Sequence, residues 1–431
     1  MSDSVPLQLP PLGLYVHIPW CVRKCPYCDF NSHAAAGANS HAAAGAVSAA
    51  ESHESLGPGA EYGLPEAEYV AQLQRDLRSQ LPWVQGRRFS TIFFGGGTPS
   101  LFSPAAIGAI LQAAEQLVGF APDIEITLEA NPGTFEQDKF AGYRAAGVNR
   151  LSIGVQSFDP RQLANLGRIH SGEEAAGALQ MARRAGFDNI NLDLMHGLPD
   201  QSEAEALADL QRAVALGPEH ISWYQLTIEP NTAFYSAPPV TPGSALVARM
   251  QASGRNYLAA QGYSRYEVSA YSPAGRESRH NINYWSFGDY LGIGAGAHGK
   301  VTLPETGHIL RSRRTRAPRH YLPGMAAGAT AAGAQSGAGE LIHSELAPPH
   351  TDVVAPEELP LEFLMNALRL VDGVPVDSFG RYTGLPLAEL EREWPALQAM
   401  ELVQSLERRI AASAFGFDYL DEILQRFLEQ P

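Results

Sequence analysis

Cysteine is scarce in this chain: three in 431 residues, all between positions 21 and 28. An odd, clustered set excludes the disulfide framework of a small secreted scaffold. Basic side chains are also few, 31 against 46 acidic, for a formal net charge of -15. A general nucleic-acid binder would show the opposite balance or a basic face. No apolar run is long enough for a membrane span. The opening Met1-Ser2-Asp3-Ser4-Val5-Pro6 lacks the basic start and apolar stretch of a secretory signal. The chain is therefore expected in the cytoplasm, where thiols stay reduced. Core material is plentiful: 45% of the residues are hydrophobic, over a length that allows two or three domains.

The three cysteines form one loop, Cys21-Val22-Arg23-Lys24-Cys25-Pro26-Tyr27-Cys28. An iron–sulfur cube takes four ligands, usually thiolates. Three thiolates from one loop leave one iron open to an exchangeable ligand, the arrangement a metal centre needs for chemistry. A zinc site completed by His17 or His33 is the competing reading, although zinc more often takes its cysteines as two separated pairs. A redox Cys-x-x-Cys pair would leave the third cysteine without a task.

Along the chain, strand patterns alternate with helix patterns. Leu14–Ile18, Phe89–Phe94, Ile124–Glu129, Arg150–Gln156, Asn189–Met195 and Ile221–Leu226 read as six strands. Helical spacing follows Pro65, Pro104, Gln137 and Glu203. Strands alternating with helices of this length imply parallel pairing through right-handed crossovers. A partial (β/α)6 barrel suits six such units, and an open doubly wound sheet is the alternative. In parallel barrels the site gathers at the C-terminal ends of the strands. Here those ends carry the cysteine loop, Gly95-Gly96-Gly97-Thr98, Glu129 and Gln156, with Asp193 inside an apolar strand. The glycines read as a close backbone approach to a ligand or as a tight turn. Glu129 and Asp193 need a ligand or a buried partner such as Arg150 or Arg168.

Several motifs then occur in order: Gly-Gly-Gly-Thr-Pro from Gly95, Glu-Ala-Asn-Pro-Gly from Glu129, Ser-Ile-Gly-Val-Gln-Ser-Phe from Ser152, Leu-Gly-Arg-Ile-His from Leu166 and Leu-Asp-Leu-Met-His-Gly-Leu-Pro from Leu192. With the C-x3-C-x2-C loop, they resemble the radical S-adenosylmethionine (radical SAM) superfamily. Within it they resemble the branch holding the oxygen-independent coproporphyrinogen III oxidases and related heme chaperones. The resemblance runs from Leu14 to about Gly299 and resumes more weakly from Pro360. It implies that Cys21, Cys25 and Cys28 hold a 4Fe–4S cluster whose open iron binds SAM. It implies SAM contacts at Tyr15, Tyr27, Gly96, Gly97, Thr98, Glu129, Gln156, Arg168 and Asp193. The glycines would meet the amino-acid end, and Asp193 would suit a ribose hydroxyl. His280-Asn281-Ile282-Asn283-Tyr284-Trp285 resembles the H-N-x-x-Y-W motif linked to heme in the chaperones. His280, Asn281, Tyr284 and Trp285 are the heme contacts it implies, an imidazole being a standard axial ligand.

The oxidases carry a fourth cysteine two residues after the third, where this chain has Phe30, and a longer N-terminal arm. The expectation is therefore a heme chaperone rather than an oxidase that decarboxylates propionates in porphyrin biosynthesis. Its implied partners are heme, an acceptor hemoprotein and an electron donor, with peripheral contact to membrane-bound respiratory proteins and no nucleic acid. The expected layout is a leader (1–13), a barrel (14–230) with a flexible Ala/Gly/His insertion at about 32–63, and a barrel extension with the heme motif (231–323). A linker (324–345) and a mainly helical, winged-helix-like domain (346–431) follow. Two features stay open. The histidines of the insertion read as a metal tract or as part of a flexible segment. The run Arg311, Arg313, Arg314, Arg316 and Arg319 reads as a solvated face or as a grip for carboxylates.

Overall fold

The computed structural model describes residues 5–35, 63–133, 138–322 and 349–428. Most of the expected insertion and the whole expected linker lie outside the described residues. Strand β1 (Leu12–Ile18) shows how the sequence builds the sheet. Leu12, Leu14, Val16 and Ile18 are at most 1% exposed and point to one face; Gly13, Tyr15 and His17 point to the other. The apolar face meets the helices in the main core. The other face lines the barrel interior.

After β1 come two short strands, β2 (Trp20–Cys21) and β3 (His33–Ala34), which pair in parallel across the cysteine loop. They are followed by β4 (Phe89–Gly96), β5 (Phe120–Ala130), β6 (Arg150–Gln156), β7 (Ile190–His196) and β8 (His220–Gln225). Next are β9 (Ser264–Glu267), β10 (Ala270–Ser272), β11 (Asp289–Ile293), β12 (His298–Leu303), β13 (His308–Arg313) and β14 (His350–Val353). They form one 12-stranded sheet in the order β14-β13-β12-β11-β1-β4-β5-β6-β7-β8-β10-β9. From β1 through β4 to β8 the neighbours follow chain order and run parallel. This is the partial barrel. The strand β11 adds a further parallel neighbour to β1, and β12 to β14 extend that edge antiparallel.

Local chemistry sets the helix boundaries. Helices Gly172–Arg184 and Glu203–Leu216 each start with a capping box, Ser171 with Glu174 and Ser202 with Glu205, which satisfies amide groups that the helix itself leaves unpaired. Among the described residues no helix is long and apolar enough to cross a membrane.

Three observations add to the expected layout. In the expected leader, Val5 and Gln8 donate backbone hydrogen bonds to Gly384 and Arg381 of the C-terminal unit. The strand β3 draws His33 and Ala34 out of the insertion and onto β2. The arginines do not share one face. Arg314 is buried on Asp76, Arg311 bonds Glu362 and Tyr290, and Arg313 pairs with Asp352. The C-terminal unit has its own core around Phe363, Phe379 and Trp394. It carries a two-stranded wing, β15 (Val374–Pro375) against β16 (Arg409–Ile410).

Candidate functional site

The cysteine mouth of the barrel holds a cavity of about 390 Å³. Cys21, Cys25, Cys28, Tyr27, Gly96, Gly97, Thr98, Glu129, Gln156, Arg168 and Asp193 all line it. Residues up to 172 positions apart in sequence thus meet because each ends, or lies near the end of, a parallel strand or the loop after one. Tyr15 is the exception. It lies beneath the cavity, with its hydroxyl on His17 Nδ1 at 3.0 Å and its ring beside Phe93.

All three thiols are free and half-buried. Each has a different polar neighbour. Thr98 Oγ1 donates to Cys21 Sγ at 3.5 Å, Arg168 donates to Cys25 Sγ at 3.6 Å, and Ser32 Oγ lies 3.9 Å from Cys28 Sγ. Burial pushes the Cys21 and Cys28 thiols up, and the neighbouring cysteines add to this. The sulfurs surround the cavity and do not converge on a point. Among the described residues no three His, Cys, Asp or Glu side chains form a group able to hold a single ion. A cube takes one thiolate per corner, so this donor set fits it. His17, considered above as a zinc ligand, is committed at both ring nitrogens, to the Tyr15 hydroxyl and to the Asn31 carbonyl at 2.9 Å.

The deep wall is carboxylate-rich. Burial, then the nearby Asp193, raises Glu129 from 4.5 to about 8, against the opposing pull of the Gly96 amide. Burial also raises Asp193, although Ser152 and Asn191 donate to its carboxylate at 3.0 and 2.8 Å. Arg168 does not neutralise either acid. Its guanidinium donates to Asn131 Oδ1 at 2.7 Å and to the Gly154 carbonyl at 2.8 Å, and its Nε is buried without a partner among the described residues. Gln156 ends β6 in the left-handed region, φ 69°, which is uncommon for a residue with a side chain. The Tyr224 hydroxyl donates to its Oε1 at 2.7 Å.

The glycines, read above as a close approach to a ligand or as a tight turn, form a turn packed on the chain's own backbone. A Cβ on Gly97 would lie 2.5 Å from the Trp20 carbonyl oxygen, and one on Gly96 would meet the His17 ring at 2.5 Å. The Gly97 and Thr98 amides donate to Ile18 and Trp20 carbonyls at 2.8 and 2.7 Å. The turn is therefore glycine-rich because the backbone leading into Cys21 packs directly on it. Gly294, φ 106°, packs in the same way on the His17 carbonyl. His298 is exposed at the start of β12.

Asn131, Ser152 and Tyr224 also line the cavity and were not expected. Two of them were readable: Ser152, Gly154 and Gln156 alternate on β6, and Tyr224 alternates with Ser222 on β8, so each faces the interior.

The H-N-x-x-Y-W motif is not at this mouth. It forms helix Arg279–Trp285, which closes the opposite end of the barrel. The Arg279 and His280 amides donate to the Glu125 carboxylate at 3.2 and 3.0 Å. His280 is 1% exposed, its Nδ1 is 2.9 Å from Thr91 Oγ1, and its ring lies between Phe93 and Tyr284. Burial lowers its pKa to about 3. Trp285 turns to the C-terminal core, under the Arg369 guanidinium at 4.3 Å. The helix that carries the expected heme contacts His280, Asn281, Tyr284 and Trp285 is thus packed between barrel and C-terminal unit, with the His280 Nε2 left without a hydrogen-bond partner among the described residues.

Comparison with known proteins agrees with this architecture. Residues 15–213 match the radical SAM superfamily, and residues 354–418 match the HemN C-terminal domain. Heme chaperone HemW of Escherichia coli is 47% identical over 379 residues, 88% of each chain. Heme chaperone HemW of Haemophilus influenzae is 42% identical over 428 residues, 98% of this chain and 99% of that one. Among solved structures, the radical SAM coproporphyrinogen III oxidase (HemN) of Escherichia coli superposes with a TM-score of 0.72. It is 20% identical and covers 97% of this chain and 90% of that one. At that identity the match speaks for the fold alone.

Proposed function

Since the chain belongs to the HemW family of heme chaperones, within the radical SAM superfamily, we propose that it binds heme and delivers it to an acceptor hemoprotein. A SAM-ligated 4Fe–4S cluster would sit at the cysteine mouth. The observation that carries the cofactor assignment is the convergence of three free thiols and two buried carboxylates on one cavity. Cys21, Cys25 and Cys28 would hold the cluster. When bound and reduced by an electron donor, it supplies a single electron at its open iron.

This chain's residues account for the rest. Thr98 and Arg168 hydrogen-bond to Cys21 and Cys25 and would temper their thiolate charge. Glu129 and Asp193 offer acceptors to the amino and ribose groups of SAM. Glu129, protonated near neutral pH, would ionise to meet a cationic amine, so that binding releases a proton. Tyr27, with Phe234 behind it at 6.4 Å between ring centroids, supplies an apolar wall. The reduced cysteines suit a cytoplasmic site of action, with peripheral contact to membrane-bound acceptors.

The test is a hemin titration of the anaerobically reconstituted protein, followed by mixing with an apo-hemoprotein. Saturable binding and reconstitution of the acceptor are expected. Failure to bind hemin would remove the reading. Coproporphyrinogen III with SAM and a reductant is the control: formation of protoporphyrinogen would move the chain to the oxidases.

A further inference from the structure

The cysteine loop leaves the barrel at the end of β1 and comes back to it at Asn31, three residues past Cys28. Its entry is fixed by the glycine turn, whose Gly97 and Thr98 amides bond the Ile18 and Trp20 carbonyls at 2.8 and 2.7 Å. The place of Cys28 relative to Cys21 then depends on the exit. We propose that Asn31 is the positioning residue of the cluster loop: its hydrogen bonds set the three thiols for the cube before it arrives. The inference rests on the cluster reading and adds to it a residue outside the cavity lining.

Asn31 ties the exit to three elements. Its side-chain amide donates to the Ala295 carbonyl at 3.0 Å, in the turn after β11, and to the Arg316 carbonyl at 2.9 Å, past the end of β13. A short amide carries two donors, which a carboxylate or a hydroxyl does not. Its own carbonyl accepts from His17 Nε2 at 2.9 Å, which closes the loop at its neck across 14 positions. The partner being a carbonyl, Nε2 carries the ring proton, and Nδ1 accepts from the Tyr15 hydroxyl.

These bonds close into a ring. The His17 carbonyl accepts from the Tyr69 hydroxyl at 2.8 Å, that hydroxyl accepts from the Ala295 amide at 2.8 Å, and the Ala295 carbonyl accepts from Asn31. The Asp76 carboxylate holds the adjacent Gly294 amide at 3.1 Å. Tyr69 and Asp76 are wholly buried, so the turn that receives Asn31 is itself held from the core. The turn also makes room for it. Gly296 lies in the left-handed region, φ 84°, and a Cβ there would sit 2.2 Å from Asn31 Nδ2. A loop free at its exit would surrender that freedom on meeting the cube; a loop already closed at the neck does not. Supporting groups of this kind act on metal retention and on the geometry around the metal.

The experiment is anaerobic reconstitution of the full chain. It reads the rate of iron release to a ferrous chelator, the electron paramagnetic resonance spectrum with and without SAM, and the thermal melt of the metal-free chain. Gln85→Ala is the control, because Gln85 also donates from one amide to two carbonyls, Thr302 at 2.8 Å and Trp83 at 3.3 Å, away from the cysteines. Asn31→Ala and Gln85→Ala should both lower the metal-free melt by a few degrees. Only Asn31→Ala should release iron about tenfold faster and alter the change that SAM makes in the spectrum. Asn31→Asp, of the same size but without the two donors, should match it. So should Gly296→Ala, which displaces the Asn31 amide without touching the loop. If the Asn31 variants keep iron at the wild-type rate with the wild-type spectra, or if Gln85→Ala loses it as fast as they do, the positioning role is wrong and the cluster reading stands. If the wild type itself takes up no iron, the cluster reading fails instead.

Discussion

Replacing Gly97 by alanine puts a methyl group into space already taken by the chain. The added Cβ would lie 2.5 Å from the Trp20 carbonyl oxygen, 2.8 Å from the Trp20 carbonyl carbon and 2.9 Å from that of Pro19, where ordinary contact begins at 3.4 Å. These are backbone atoms, so no side-chain rotation relieves the clash, and the segment entering Cys21 must retreat by roughly 0.9 Å at the closest contact. Overpacking of this kind costs about 1–3 kcal/mol. The retreat also strains the hydrogen bonds that the Gly97 and Thr98 amides donate to the Ile18 and Trp20 carbonyls. Losing one of these adds about 1 kcal/mol. The sum, about 2–4 kcal/mol, should lower the melting temperature by several degrees and disturb Cys21, which Thr98 touches. Gly108→Ala is the control. Its Cβ would meet the Ala146 Cβ at an ordinary 3.6 Å inside a helix, so it should stabilise by about 0.5–1 kcal/mol. Thermal melts under anaerobic conditions and iron content per chain read both effects. A Gly97→Ala protein that melts with the wild type and loads as much iron would refute the reasoning.

Asp289→Asn should cost about 3–5 kcal/mol, because Lys300 is left buried beside a neutral amide; a urea melt shows it. Lys300 and Arg87 hold Asp289 below the usual carboxylate range, so its contribution is full above pH 3.8 and fades as pH falls through the depressed value. Glu129 works the other way. Holding its proton favours the folded state fully below pH 4.5, and that gain is spent by pH 8, so across this window the wild type should lose stability relative to Glu129→Gln. A parallel pH dependence of the two melts would contradict this. His280→Ala opens a cavity between Phe93 and Tyr284 and strands the Thr91 hydroxyl, for a loss of about 2–4 kcal/mol in a chemical denaturation curve.

The barrel was legible because its evidence is local. The apolar strand pattern in Leu14–Ile18 marks β1, helical spacing marks the helices after Pro65, Pro104, Gln137 and Glu203, and polar residues at strand ends mark the mouth. What was not legible depends on distant neighbours. No pattern near Gly97 says that Trp20, 77 positions earlier, would occupy the place of its Cβ. The five arginines look like one patch in sequence, but Arg311 and Arg313 on β13 pair with Glu362 and Asp352, Arg314 just past the strand turns in to Asp76, and Arg316 and Arg319 lie farther on. The hexapeptide at His280 was legible as a motif, but not its place in the fold. Its short helix lies under Glu125 and Thr91, at the end of the barrel that motif logic leaves unassigned.

The claim on which the rest depends is that Cys21, Cys25 and Cys28 hold an iron–sulfur cube with one open iron. Anaerobic reconstitution followed by metal and sulfide analysis tests it directly, with the electron paramagnetic resonance spectrum of the reduced protein recorded before and after SAM. The account predicts about four irons and four sulfides per chain, and a spectrum that SAM changes. Zinc in their place, no metal, or a spectrum indifferent to SAM would contradict it.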